Sequence, residues 1–251
     1  LEEKENQRTS GMRFRRISIR KGRMAARVPR LTSESLHLGI LLAIVGGYLD
    51  SYTFLSRGGV FANAQTGNIV LLGIKIAQGN WTQALLHIPP ILAFVLGVGV
   101  VESFKSPRMK KLFKLPARAI LLLEIAVLII VGMLPEGIPN IIVTVVISFV
   151  ASLQVSSFRK LITWSYNTTM TTGNLRTATQ AAYRAMMEKN KEAAGQALKF
   201  YTIIGSFLFG ALGGGILTMH LENRAIWIAA VLLVCAFLLL ESNQRIEKEK
   251  K

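Results

Sequence analysis

The sequence is poor in the residues that carry most soluble chemistry. Its 251 residues include one cysteine, three histidines and a single aspartate, Asp50. The lone Cys235 excludes an intramolecular disulfide and, set in an apolar run, reads as packing. His37, His87 and His220 are far apart, each at the edge of an apolar segment. There is no metal-ligand spacing, no Gly-x-Ser-x-Gly and no P-loop. An enzyme is therefore not expected, and no catalytic residue, metal or cofactor is assigned. Charge is scarce as well: 18% of residues are Asp, Glu, Lys or Arg, against roughly 25% in ordinary soluble domains.

Apolar residues are what the chain has in quantity, 51% of the total, with a mean hydropathy of +0.41. A bilayer core about 30 Å thick asks for roughly 20 apolar residues per helix. Six segments meet or approach that length, near 36–55, 85–101, 117–134, 138–158, 198–219 and 225–240. The expected fold class is an all-α polytopic integral membrane protein. The first apolar segment is too long for a cleavable signal peptide and lacks a small-residue cleavage site, so it is expected to stay as the first span. Three regions follow: a basic tail at 1–35, expected to be disordered and cytoplasmic; a single membrane domain at 36–241; and a charged cytoplasmic tail at 242–251.

A net charge of +16 raises nucleic acid as a partner, but topology explains it better. With a cytoplasmic N-terminus and six crossings, 27 of the 30 Lys and Arg fall in cytoplasmic segments and three outside. That is the positive-inside bias. It predicts two cytoplasmic termini and attraction to anionic lipid of the cytoplasmic leaflet, with no nucleic-acid partner. Self-association into a homo-oligomer is compatible with the sequence.

One polar element occurs twice. Thr66-Gly67-Asn68 follows the first apolar segment, and Thr172-Gly173-Asn174 follows the fourth. Residues 69–78 are apolar but only about half a span long, and a crossing there would put the basic loop 102–118 outside. They are read as a re-entrant or half-membrane helix. The halves 36–134 and 138–241 then each hold three crossings, so the second enters from the opposite side, as in an inverted repeat. After the second triplet, Leu175, Ala178, Ala182 and Met186 share one helical face while Arg176, Gln180 and Arg184 share another. A surface-lying helix is the alternative there.

A helix start leaves N–H groups unpaired at an electropositive end, and glycine permits close approach. Gln65, Thr66, Gly67 and Asn68, with Thr172, Gly173 and Asn174, are therefore the candidate cradle for a small polar or anionic ligand near the midplane. The alternative is that both triplets only cap helices. Arg176 would add a fixed positive charge. Asp50 and Gln154 lie upstream of the two triplets. An ionised group at membrane depth costs about 2.5–3.5 kcal/mol, so Asp50 is either functional, or it caps the span at the interface or pairs with Arg57. Glu124, inside the third span, requires burial against another helix, either for proton coupling or with a structural hydrogen-bond partner there. The expected function is a secondary transporter or channel for an unknown small polar or anionic solute. The alternative is a non-transporting scaffold, or a lipid-interacting or sensing module, acting through the basic cytoplasmic segments.

With Gly-Tyr-Leu-Asp at 47–50, Gly-Gly-Val-Phe-Ala-Asn-Ala-Gln-Thr-Gly-Asn-Ile-Val-Leu-Leu-Gly at 58–73, Ser-Leu-Gln at 152–154 and Thr-Thr-Gly-Asn-Leu at 171–175, the chain resembles the YoaK-like family over roughly residues 36–242. The resemblance implies a small multi-spanning protein of the bacterial inner membrane that carries a domain of unknown function, without an established substrate. Its characteristic positions fall here on Asp50, Phe61, Thr66, Gly67, Asn68, Gln154, Thr172, Gly173 and Asn174.

Overall fold

The computed structural model describes residues 35–106, 117–135 and 137–249, with side chains to residue 242. The tail expected at 1–35 lies outside the described residues except for Ser35, as does most of the 102–118 loop. Nine α-helices are described: α1 (Leu36–Ser56), α2 (Gln65–Ala77), α3 (Trp81–Leu85), α4 (Ile88–Lys105), α5 (Ala117–Met133), α6 (Asn140–Ser157), α7 (Thr171–Met187), α8 (Lys191–Leu221) and α9 (Ile226–Glu249). A two-residue hairpin, β1 (Lys160–Leu161) and β2 (Trp164–Ser165), interrupts the helical order, and a 3-10 turn at Glu222–Ala225 joins α8 to α9. The fold is all-α in class, and each of the six expected apolar segments holds one long helix. The segment expected as a charged tail continues α9 as helix to Glu249.

Local chemistry sets the boundaries. The Ser35 side chain accepts from Leu38 N at the start of α1, and Asn190 accepts from Glu192 N and Ala193 N at the start of α8. These are N-cap bonds for otherwise orphaned donors. Asn190 explains why α8 begins seven residues before its apolar run: a capped polar turn extends the helix. Proline sits in the first turn of α4, where a missing N–H costs nothing.

Four stretches have the length and apolarity of a membrane crossing: 36–56, 81–105, 140–157 and 191–242, the last running through both α8 and α9. With 17 residues, α5 spans about 25 Å. Large apolar side chains face outward along these helices, among them Leu92, Leu96, Ile130, Leu208 and Leu212. Such a belt suits lipid and not water.

Helix α1 is central. It packs on α8 and α9, α4 packs on α6, and α5 packs on both α6 and α9. The α1–α8 contact is backbone-close. A β-carbon at Gly210 would meet the Ile44 carbonyl, one at Gly214 would lie 2.7 Å from Tyr48 O, and Gly47 faces the Phe207 carbonyl in return. Tyr48 Oη donates to Ala225 O, Tyr52 Oη donates to Asn223 O, and Arg57 reaches Asn140 Oδ1. One end of the bundle therefore gathers the end of α1, the start of α6 and the 222–225 turn. At the other end, Lys105 Nζ donates to Ser156 O, and Leu161 and Tyr166 pack at Gly39. These anchors make α1, α4, α6 and α8 all run the full height of the bundle.

Candidate functional site

Two loops fold back along α1 from its opposite ends. After α1, Gly58 (φ 87°) and Gly59 (φ 75°) reverse the chain in a conformation open to glycine. The loop then descends α1 bond by bond: Gly59 N to Phe54 O, Ala62 N to Thr53 Oγ1, Asn63 N to Asp50 Oδ1 at 2.7 Å, and Asn63 Nδ2 to Gly46 O. The second loop starts at the other end. Tyr166 lies at Gly39 and Thr169 at Gly46, where a β-carbon would be 2.7 Å from Thr169 Cγ2. Seven helical residues separate those levels, about 10 Å of descent. Both loops thus reach Gly46, the middle residue of the 21-residue α1. Helices α2 and α7 begin there. α2 leads through α3 to the start of α4, and α7 leads to the start of α8, so the two short helices leave toward opposite ends of the bundle.

The repeated asparagine has the same role in both copies. Asn68 Oδ1 accepts from Phe61 N at 2.9 Å, and its Nδ2 donates to Phe61 O at 2.7 Å. Asn174 Oδ1 accepts from Asn167 N, and its Nδ2 donates to Asn167 O. Each amide clasps both backbone groups of the residue seven positions earlier. A carboxamide offers one acceptor and two donors on a short stem, so it substitutes for the strand or helix partner that a descending loop lacks. Buried backbone groups must be paired, which is the physical reason for the triplet's third residue. The remaining Asn68 proton goes to Gln65 Oε1, and Gln65 Nε2 donates to Ala62 O.

Between the two helix starts lies a cavity of about 560 Å³, lined by residues 63–66 on one side and 165–167 and 169–174 on the other, with Thr177 and Arg159. The N-cap residues of α2 and α7, Ala64 and Met170, make no side-chain capping bond of their own, and the amide ends of both helices border this region. Among the described residues, the lining holds hydroxyl and amide side chains and Arg159, and no acidic residue.

Of the residues singled out from the sequence, Gln65, Thr66, Thr172, Gly173 and Asn174 line this cavity. Gly173 has open space around its α-carbon, whereas Gly67 turns to Phe61, whose ring would lie 2.8 Å from an added β-carbon. Asn68 is buried behind the lining. Asp50 stands behind it too, its Oδ1 accepting from Asn63 N and Ala64 N. Arg57 does not pair with Asp50: its guanidinium goes to Tyr52 Oη and Asn140 Oδ1. Gln154 is elsewhere, donating to Glu124 Oε2 at 2.9 Å, which supplies the partner Glu124 requires. Arg176 is exposed on α7, outside the lining. The cation at the cavity is Arg159, which sequence reasoning missed. It follows α6, 3.9 Å from Glu102, and its carbonyl accepts from Tyr166 N at the base of the hairpin. Its position depends on that hairpin, whose Ile162-Thr163 turn lacks the glycine or asparagine that marks hairpins in sequence.

The geometry can be set beside known proteins. The family described as "Protein of unknown function (DUF1275)" matches residues 38–239. Over 138 residues the chain is 27% identical to the UPF0700 transmembrane protein YoaK of Bacillus subtilis (strain 168), covering 54% of this chain and 61% of that protein. The chain thus spans less than two thirds of that curated relative. No solved structure matches. With a family match over most of its length, a transmembrane relative and several helices fit to cross a bilayer, this multi-pass membrane protein belongs to the DUF1275 family of YoaK-like proteins.

Proposed function

We propose that the chain is a secondary transporter or channel for a small polar or anionic solute, held in the cavity between the two Thr-Gly-Asn helix starts. The observation that carries this reading is that cavity's place: two helix N-termini and Arg159 line it, with no acidic residue among its described lining, at the middle of α1. Broken backbone at membrane depth is tolerated where it lines a wet cavity, and discontinuous helices with their N-termini toward an anionic group are a recurring transporter device.

An inverted repeat of 36–134 and 138–241 is part of the proposal. Matching the halves in order pairs α1 with α6, α2 with α7, α4 with α8 and α5 with α9. The packing respects that exchange: α1 on α8 corresponds to α6 on α4, α1 on α9 to α6 on α5, and α5 on α9 to itself. The two asparagine clasps correspond as well. In this reading α2 and α7 are re-entrant helices, the basic end faces the cytoplasm of a bacterial inner membrane with both termini there, and anionic lipid is a partner.

Orientation is testable in a Cys235→Ala background, since Cys235 is free and exposed. Gln78→Cys, after α2, is expected to label from outside and Glu188→Cys, after α7, from the cytoplasm. Labelling of both from one side overturns the repeat. Function is tested by proteoliposome flux of chloride, nitrate, phosphate, acetate and pyruvate. At least one is expected to move, and Gly173→Trp, which fills the cavity from an unobstructed position, is expected to return flux to that of protein-free vesicles. Deleting residues 1–30 is expected to leave flux in place. Loss on that deletion, with Gly173→Trp silent, would favour the module acting through its basic segments.

A further inference from the structure

The lining explains how a negative or polar solute would be held, but leaves one charge unbalanced. Asp50 is the chain's only aspartate and is 5% exposed at mid-bundle height. Its Oδ1 accepts two backbone N–H groups from the start of α2, while Oδ2 has no hydrogen-bond partner among the described residues. A helix N-terminus supplies roughly half an elementary charge, so a full carboxylate charge is only partly compensated. No described ion pair involves Asp50.

Two further buried oxygens without a partner among the described residues lie on the loops that reach Gly46. Asn63, 2% exposed, gives its backbone N–H to Asp50 and its Nδ2 to Gly46 O, yet its Oδ1 is unpartnered. Thr168, 1% exposed, precedes the Thr169 that abuts Gly46, and its Oγ1 is unpartnered too. A buried acceptor without a donor costs about 1–3 kcal/mol, more when charged. Here three oxygens of three chemical kinds, a carboxylate, an amide and a hydroxyl, come from the three chain segments that meet at the middle of α1. None of the three is paired among the described residues, and a hard cation is a group that accepts oxygens of all three kinds.

The geometry points to a monovalent cation site at this crossing, in which Asp50 and Asn63, with Thr168 as a further oxygen, hold Na⁺ or a proton. Hard cations take oxygen ligands of these kinds, and unwound backbone beside a half-helix is where coupling ions sit in broken-helix transporters. The position also has a mechanical meaning. Asp50 and Asn63 join α1 to α2, so an ion there would fix one of the two helix starts that form the solute cavity.

Among the described residues, no other titratable group has a contact that would let it substitute for Asp50. On α1, Tyr48, Tyr52 and Arg57 turn toward the 222–225 turn and Asn140. From α8 the facing residues are Phe207, Gly210, Ala211 and Gly214. The α2 loop brings Ala62, Asn63 and Ala64, and the α7 loop brings Thr169 at Gly46 and Tyr166 a further two turns away at Gly39. Glu124 is engaged with Gln154 on α6.

The test uses full-length protein in detergent, with no solute present. Melting temperature is measured at constant ionic strength while Na⁺ replaces choline at fixed pH, and proton uptake is measured by pH-stat titration in choline alone. A ligand that favours the folded state raises its melting point by mass action. Either a Na⁺-dependent rise that Asp50→Asn abolishes, or proton uptake above about pH 6, where an ordinary carboxylate stays ionised, that Asp50→Asn lacks, supports the site and says which ion it takes. Asn63→Ala, which keeps the carboxylate, is expected to shift the same response to higher ion concentration, and it serves if Asp50→Asn does not fold. Glu124→Gln is expected to keep the response. Parent and both site variants behaving alike in both arms overturns the proposal and leaves water as the bridge. Because no solute is present, that result leaves the cavity reading standing.

Discussion

Gly210→Val is expected to abolish recovery of folded protein, whereas Gly213→Val, three residues along the same helix, leaves it intact. A β-carbon at Gly210 meets the Ile44 carbonyl oxygen, a backbone atom that cannot rotate away, while at Gly213 nothing lies within 4 Å. Between membrane helices there is little hydrophobic force, and small residues allow the backbone approach that supplies packing instead. The α1–α8 contact uses this in both directions, with Gly47 against Phe207 and Gly214 against Tyr48, and Ser51 Oγ donates across it to Ala211 O at 2.8 Å. Overpacking a well-filled interface costs about 1–3 kcal/mol when side chains can yield. Here whole helices must part, so the cost is larger. Parting them would also shift Gly46, where both loops end. Gel-filtration profile and melting temperature of the two variants in detergent check this, and parent-like behaviour of Gly210→Val would show that α1 and α8 are not held this closely.

Much of this architecture was legible in the sequence because membrane helices announce themselves by length and apolarity. The half-length of residues 69–78 and the cost of exporting a basic loop led to a short helix after Thr66, and α2 is Gln65–Ala77. Glycine in an apolar run allows close helix packing, and Gly97 lies against Ser152 of α6. What stayed hidden is what depends on chain reversal. Arg159 reaches the cavity only because a two-residue hairpin turns there without turn residues. Gly67 and Gly173 look identical in sequence, yet one accommodates Phe61 and the other faces open space, since Phe61 stacks on Phe54 (ring centroids 4.7 Å apart) and its counterpart Asn167 has no ring. Asp50 and Gln154 each lie upstream of a triplet, but position along a helix does not tell which face a residue takes. Asp50 faces a loop, and Gln154 faces Glu124.

Asn68→Asp and Asn174→Asp are expected to destabilise the protein sharply in the absence of any solute, with the larger effect at Asn68. The substitution keeps shape and exchanges an NH₂ for an oxygen. Phe61 O or Asn167 O, which now accepts from the amide, would then face an acceptor. An unpartnered buried carbonyl costs about 1–3 kcal/mol. An ionised carboxylate adds a desolvation penalty of several kcal/mol, or must be neutralised by taking up a proton. At position 68 the damage is doubled, because Nδ2 also donates to Gln65 Oε1, so two acceptors lose their donor and the start of α2 loses its tie to the loop. Asn174 is bound by the Asn167 clasp alone, and Asn167 Oδ1 separately holds Thr169 N and Met170 N at the start of α7. That second support survives the substitution, which is why the effect there is smaller. Raising the acidity of the medium is expected to recover part of the loss, since a protonated carboxyl regains one donor. Melting temperature of purified, solute-free protein is the measurement, because an asparagine serving only the solute would leave that temperature at the parent's value. A parent-like value for either variant would show that its amide clasp does not hold the loop in place.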